Sequence, residues 1–265
     1  MSLSTLAAPV PARSGPRDAP RAPSGPWPGA IVALIGAFMA IMDAFIVNIA
    51  LPSLRADLHA TFAEAQLIVA GYGLTYAAVL ITGSRLGDRF GRRRMFIIGL
   101  GGFTAASLAC GLAPNPAALI AARLVQGLSA AVMFPQVLAL LRATFTEPRE
   151  RALAFAALGA TQGLASIAGQ IGGGVLVAMN SWSLGWRAVF LVNVPVGLVA
   201  MIAAGRLIRE PAASGAKRLD LAGALLSALA LVLLLYPLIE GREAGWPAWS
   251  LAMLALALPA FRATR

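Results

Sequence analysis

The sequence predicts an all-α, polytopic membrane protein: a bundle of six transmembrane helices with about two more behind it. Three observations predict this. The chain of 265 residues is 59% hydrophobic and only 12% charged, whereas ordinary soluble domains carry about a quarter charged residues. Its apolar residues fall in runs of about 20, the length that crosses a bilayer as a helix. Its basic residues lie in short clusters between those runs.

Reading the runs in order gives eight spans, at 29–51, 66–86, 95–113, 117–141, 154–178, 188–205, 220–239 and 247–262, the last of them short. Residues 1–28 are rich in Pro, Ala, Ser and Arg without apolar periodicity, the composition of a disordered tail. A basic tail before an apolar stretch can mimic a secretory signal, but this stretch is longer than a signal core and further spans follow it. Loops alternate in basic content. Arg13, Arg17 and Arg21 precede span 1, five arginines join spans 2 and 3, Arg142, Arg149 and Arg151 join spans 4 and 5, and Arg206, Arg209, Lys217 and Arg218 follow span 6. The opposite loops hold only Arg55, Arg187 and Arg242. The positive-inside rule therefore places the N-terminus in the cytoplasm, with Arg262 and Arg265 returning there after eight spans. Trp27, Trp182, Trp186, Trp246 and Trp249 fall near span ends, where indoles anchor at the interface.

This distribution excludes several function classes. The net charge of +10 is spread as topogenic clusters, not as a nucleic-acid-binding face. The single Cys110 offers no disulfide framework or metal site. The only histidine, His59, falls in an outer loop, and no span pairs a nucleophile with a base or gathers carboxylates for a metal, so an enzyme is not expected.

Chemistry inside the spans starts with Asp43. A carboxylate in the hydrocarbon region must be protonated, paired or turned to a watered cavity, so Asp43 is read as a proton- or cation-carrying group, or else as a structural acid held by a neighbouring helix. Asn48, Leu51 and Pro52 close the span, with Pro52 placed past its end. In span 4, Arg123 and Gln126 are spaced i, i+3 and share a face; Arg123 either lines a cavity with Gln126 or snorkels to the nearer interface. Span 5 carries Gly159/Gly163 and Gly169/Gly173, two small-xxx-small pairs suited to close helix packing, with Gly174 beside them. The segment Gly83–Arg94 places Gly83, Gly87 and Gly91 four apart, and Asp88 ahead of Arg92 at the favourable i, i+4 spacing. That register suggests a structured latch in the loop. Met39, Met42 and Phe134 are either part of an adaptable pocket or membrane-core packing.

These residues together resemble the major facilitator superfamily. Leu86, Asp88, Arg89, Gly91, Arg92 and Arg93 match its G-x-L-x-D-R-x-G-R-K/R loop between spans 2 and 3, with Ser84 at the first glycine. Arg123 to Gly127 is similar to the R-x-x-Q-G motif of span 4, and Trp186 to Gly197 resembles the W-R-x-x-F-x-x-N-x-P-x-G start of span 6 in the fourteen-span drug:proton antiporter branch. Leu51-Pro52 after Asp43 and Asn48, and Asp220 to Gly223 with the late tryptophans, resemble that branch's first span and its two central helices. Gln170 stands where its span-5 G-P-x-x-G-G motif has proline, which removes one imposed bend.

The resemblance implies a six-helix N-terminal bundle at 29–205, a cytoplasmic linker at 206–219 and two central helices at 220–265. It implies a multi-pass protein of the bacterial inner membrane performing proton-coupled efflux of small amphipathic compounds or drugs. Its partners would be the lipid bilayer, a small-molecule substrate and protons, with neither cofactor nor nucleic acid. Asp43, Arg123 and Gln126 would carry coupling, and Ser84, Gly87, Asp88, Arg89, Gly91 and Arg92 would gate the cytoplasmic side. The family's second six-helix bundle is expected from continuation of the chain or from another subunit. The alternative is a non-transporting half that needs a partner half.

Overall fold

The computed structural model describes residues 25–179, 184–210, 221–241 and 245–263. The tail up to residue 24, Trp182, Lys217, Arg218, Asp220, Arg242 and Arg265 lie outside the described residues. The described chain is helical from end to end: α1 (Trp27–Leu58), α2 (Phe62–Phe90), α3 (Arg92–Gly111), α4 (Pro116–Thr144), α5 (Pro148–Met179), α6 (Ala188–Leu191), α7 (Asn193–Leu207), α8 (Leu221–Glu240) and α9 (Ala248–Ala263). A single 3-10 turn, Gly185–Arg187, leads into α6. Among the described residues, α1 to α5 and the stretch Gly185–Leu207 make six helices long and apolar enough to cross a membrane.

Local sequence explains where these helices start and stop. Thr61 and Glu64 form a reciprocal capping box at the start of α2, with the Thr61 amide 2.8 Å from Glu64 Oε2 and the Glu64 amide 3.2 Å from Thr61 Oγ1. Asn115 Oδ1 accepts the Ala118 amide at 2.9 Å, and Pro116 opens α4 where no donor is needed. Helix α1 ends on His59 in the left-handed conformation, φ 53°.

Three boundaries differ from the sequence expectation. Pro52 lies inside α1, which runs on to Leu58; its missing N–H removes only the bond to Asn48, and the final turns hold the helix together. The segment between spans 2 and 3 is a single residue, Gly91, at φ +99°. A side chain is strained at that angle, so glycine alone lets two long helices abut. The sixth span starts earlier than expected, running from Gly185 to Leu207. Pro195 cannot donate to Leu191, which interrupts the hydrogen-bond ladder between α6 and α7, while Val192 itself keeps helical angles, φ -59° and ψ -29°.

Helix α4 packs on α2 and α3, α1 on α5, and α7 on α1 and α3. Gly83 and Gly87 admit α4: a Cβ on Gly83 would stand 2.1 Å from the Ala131 carbonyl oxygen, and one on Gly87 would stand 1.9 Å from Gln136 Oε1. Gln136 Nε2 donates to the Gly83 carbonyl at 2.7 Å across that contact. Gly169 and Gly173 admit α1 in the same way, approaching the Met42 carbonyl and the Ile46 side chain. Gly174 makes ordinary contact with Ile49. Gly159 and Gly163 do not fit the packing expectation. Among the described residues no neighbour comes within 4 Å of a Cβ at either, and both are exposed. Helix α8 packs on α2 and α9, where Tyr236 and Trp249 bring their rings to 5.7 Å.

The apolar core has two parts. One gathers Met39, Phe96, Phe103, Met133 and Phe145; the other gathers Ile46, Leu54, Ile68, Trp186 and Phe190. Along α1, Asp43 falls between them.

Candidate coupling site and family

A closed polar cluster sits at that seam. Asp43, Ser107, Arg123, Gln126 and Asn193 are each 0% exposed, although they come from α1, α3, α4 and the start of α7. Arg123 Nη1 pairs with Asp43 Oδ2 and donates to Gln126 Oε1 at 2.8 Å. Gln126 Nε2 in turn donates to Asp43 Oδ1 at 2.8 Å and to Ser107 Oγ at 3.2 Å. Asn193 Nδ2 donates to the same two atoms at 3.1 Å each. Ser107 then donates to the Phe190 carbonyl at 2.9 Å. Buried charge is tolerable only when paired and hydrogen-bonded, and here both partners are.

The remaining faces of Arg123 are also occupied. Its Nε donates to the Ile68 carbonyl at 3.0 Å. Its guanidinium carbon lies 4.5 Å from the Tyr72 ring centroid and 5.7 Å from that of Phe190, a cation–π sandwich. Tyr72 is fixed by its hydroxyl, which donates to the Ala40 carbonyl at 2.9 Å. Arg123 Nη2 and Asn193 Oδ1 have no hydrogen-bond partner among the described residues. The cluster thus contains a fully enclosed carboxylate and cation whose charges cancel, with one donor and one acceptor left over.

Sequence reading brought forward Asp43, Arg123 and Gln126, and the structure brings all three together. It missed Ser107, Asn193 and Tyr72 as their partners. The available signal was polarity: Ser107 and Asn193 are hydrogen-bonding residues inside otherwise apolar spans.

At the arginine-rich end, Asp88 and Arg92 pair at 3.2 Å, and Arg92 Nη1 reaches the Ala139 carbonyl at 3.4 Å. Arg89 lies over the ring of its neighbour Phe90, 5.3 Å from the centroid. Glu210 was not anticipated. Its carboxylate accepts the backbone N–H groups of Arg93 at 3.1 Å and Arg94 at 3.2 Å, capping the positive end of α3. A Cβ on Gly91 would come within 2.9 Å of that carboxylate. Arg93 also donates to the Gly205 carbonyl, so the end of α7 is tied to the start of α3.

At the opposite end Asp57 accepts from the Trp186 indole at 2.9 Å and from Arg187 at 2.6 Å. Helix α1 has 32 residues, roughly 48 Å at the α-helical rise, against a hydrocarbon core of about 30 Å. Its last turn, with Asp57, therefore projects beyond the core. These bonds and the Arg187 charge hold the Asp57 carboxyl below the usual carboxylate range.

A cavity of about 430 Å³ opens between α2 and α4, with Ser84 and Phe134 on its wall. Met39 is instead buried in the core, and Met42 lines α1 where Gly169 approaches. Among the described residues no group of His, Cys, Asp and Glu is placed to hold a metal ion.

The arrangement of six spans around a buried charge pair can be set beside known proteins. The Major Facilitator Superfamily model matches residues 33–263. The chain belongs to that superfamily. It is 42% identical over 228 residues to a probable actinorhodin transporter of Streptomyces coelicolor, covering 86% of this chain and 39% of the relative. It is 40% identical to the tetracenomycin C resistance and export protein of Streptomyces glaucescens, over 89% of this chain and 43% of that one. It is also 40% identical to the methylenomycin A resistance protein of Bacillus subtilis, over 82% of this chain and 45% of the relative. This superfamily chain spans about two fifths of the length of these relatives. In fold it is similar to a bacterial homologue of the human lysosomal transporter Spinster, in an inward-facing, unoccupied conformation. That likeness has a TM-score of 0.64 at 17% identity, covering 88% of this chain and 59% of that one. The superfamily is one of membrane transporters, not of enzymes.

Proposed function

We propose that this chain is the first bundle and central helices of a fourteen-span, proton-coupled exporter of small amphipathic compounds. Its arginine-rich loops and N-terminus lie in the cytoplasm of a bacterium, and the protein sits in the inner membrane. Similarity to a tetracenomycin C resistance and export protein and to a methylenomycin A resistance protein supports efflux as the direction. The arginine-rich clusters support the orientation.

The observation that carries proton coupling is the enclosed Asp43–Arg123 pair. While Asp43 is a carboxylate, the cluster is neutral. Adding a proton to it strands the Arg123 cation in a low-dielectric interior, which is costly. Proton arrival must then accompany a rearrangement that gives Arg123 water or another partner. Because Asp43 is sealed, the bundle must also open to be protonated at all. Loading and movement are thereby linked, as alternating access requires. Gln126 holds both partners and relays the change, while Gly91, Asp88, Arg89 and Arg92, with Ser84 and Gly87 on α2, form the cytoplasmic gate. The second bundle comes from continuation of the chain or from another subunit.

Everted vesicles test this, with the reading frame carried past Arg265 as far as it stays open. Asp43→Asn is expected to abolish substrate-driven proton release while the protein remains in the membrane. Full proton-coupled efflux by that variant would sink the assignment. A second reading, a half that acts only with another copy, draws on the two-bundle requirement. Cross-linking between copies in membranes separates it from the first.

A further inference from the structure

The cavity between α2 and α4 has a composition that selects for charge. Tyr76, Leu80 and Ser84 recur every fourth residue on α2, with Arg85 beside Ser84, and face Phe134 and Pro135 of α4. Its volume of about 430 Å³ lies within the range of small-molecule sites, about 300–1,000 Å³. Tyr76 and Phe134 meet edge to face, with centroids 6.2 Å apart at 76°. Such a corner offers a ring face and a ring edge to a third aromatic system.

The polar side is one-signed. Among the described residues Arg85 is the only charged residue lining the cavity, and no carboxylate lines it. Three of the neighbouring arginines are engaged: Arg92 with Asp88, Arg93 with Gly205 and Arg89 over Phe90. Arg85 has neither an ion pair nor a hydrogen bond among the described residues. A guanidinium beside apolar walls forms charge-assisted, bidentate bonds with a planar oxyanion.

We infer that this cavity is a binding site for planar aromatic anions, a fused ring system bearing a carboxylate or ionised phenol, in which Arg85 reads the charge and Tyr76 and Phe134 hold the rings. The inference rests on the export reading and narrows its substrate class. Tyr76 also stacks on Tyr72 at 6.3 Å, and Tyr72 covers Arg123. An occupant therefore touches the aromatic series that ends at the buried pair.

The test is equilibrium dialysis of the purified chain in neutral maltoside micelles against 9-anthracenecarboxylate and the uncharged 9-anthracenemethanol. Arg85→Gln is expected to weaken the acid by about tenfold, the loss of one charge-assisted contact, and to leave the alcohol unchanged. Arg85→Lys should keep part of the preference, Phe134→Ala should weaken both probes, and Arg142→Gln, an equal charge loss outside the cavity, should alter neither. An acid-to-alcohol ratio unaffected by Arg85→Gln overturns the inference. So does suppression of acid binding by short-chain phosphatidylglycerol with no response to Phe134→Ala, which would make a lipid phosphate the partner of Arg85. Neither a proton gradient nor a second bundle enters this measurement, so failure here and failure of coupled efflux in vesicles are separable.

Discussion

Asn193 Nδ2 stands 3.1 Å from Asp43 Oδ1, so the sixth span holds the acid of the first. The packing of α7 on α1 and α3 makes the contact possible, and it buries Asn193 fully inside the bundle. Replacing it with Ala removes donors to Asp43 and Ser107 inside a sealed cluster. Loss of a buried partner costs about 1–3 kcal/mol, and denaturant titration in mixed micelles should read a loss of that size for Asn193→Ala. Asn193→Asp should be worse, because it sets a second carboxylate against Asp43. Unchanged stability in both variants would remove Asn193 from the cluster.

The Asp43–Arg123 pair makes a prediction about non-additivity. Breaking a buried pair from one side leaves an uncompensated charge and costs about 3–5 kcal/mol. Asp43→Asn and Arg123→Met should each destabilise on that scale. The double variant should cost well below the sum, since no lone charge remains. A double-mutant cycle by micelle unfolding checks this, and simple additivity would contradict the pairing.

These two cases mark what was legible in the sequence. The helices were, because twenty-residue apolar runs admit one solution in lipid. So were Asp43 and Arg123, because an ionisable residue inside a span stands out against its neighbours. Their partnership was not, since Asp43 and Arg123 are 80 residues apart and only the packing of α1 on α4 brings them together. Asn193 was visible as part of a motif but carried no role until the packing of α7 on α1 and α3 set it against Asp43 and Ser107. Glu210 gave little signal. It is one acid after a span, and its meaning depends on the two amides that Gly91 exposes across the bundle.

The two glycine pairs of α5 should behave in opposite ways. A Cβ on Gly169 would come 2.7 Å from the Met42 carbonyl oxygen, while Gly163 has open space. Gly169→Ala should destabilise by about 1–3 kcal/mol, as overpacking does. Gly163→Ala should be neutral or stabilising by up to about 1 kcal/mol, since alanine is the better helix former. Thermal unfolding of the two single variants compares them directly.

Glu210 is expected to set the order of the first turn of α3. Glu210→Gln keeps the shape but loses the charge that faces the helix N-terminus, worth about 0.3–1 kcal/mol. Glu210→Ala removes the cap altogether, at about 1 kcal/mol. Hydrogen exchange at the Arg93 and Arg94 amides should accelerate in both, most in Glu210→Ala, with little change in α4. Equal protection in all three proteins would show that another group caps the helix.

The Asp57 clasp predicts a pH dependence whose sign is fixed. Hydrogen bonds from Arg187 and Trp186 hold the folded-state pKa of Asp57 below its ordinary value of 3.8. A depressed carboxylate contributes stability that is fully present above the unfolded value and is lost as pH falls through the folded one. The contribution is small, because the Asp57 side chain is 49% exposed and solvent screens it. Asp57→Asn should therefore be less stable than the parent at pH 7, and the gap should close as the pH drops below 3.8. Unfolding midpoints of parent and variant between neutral and strongly acidic pH read this difference. A gap that widens on acidification would mean that the clasp does not depend on the carboxylate.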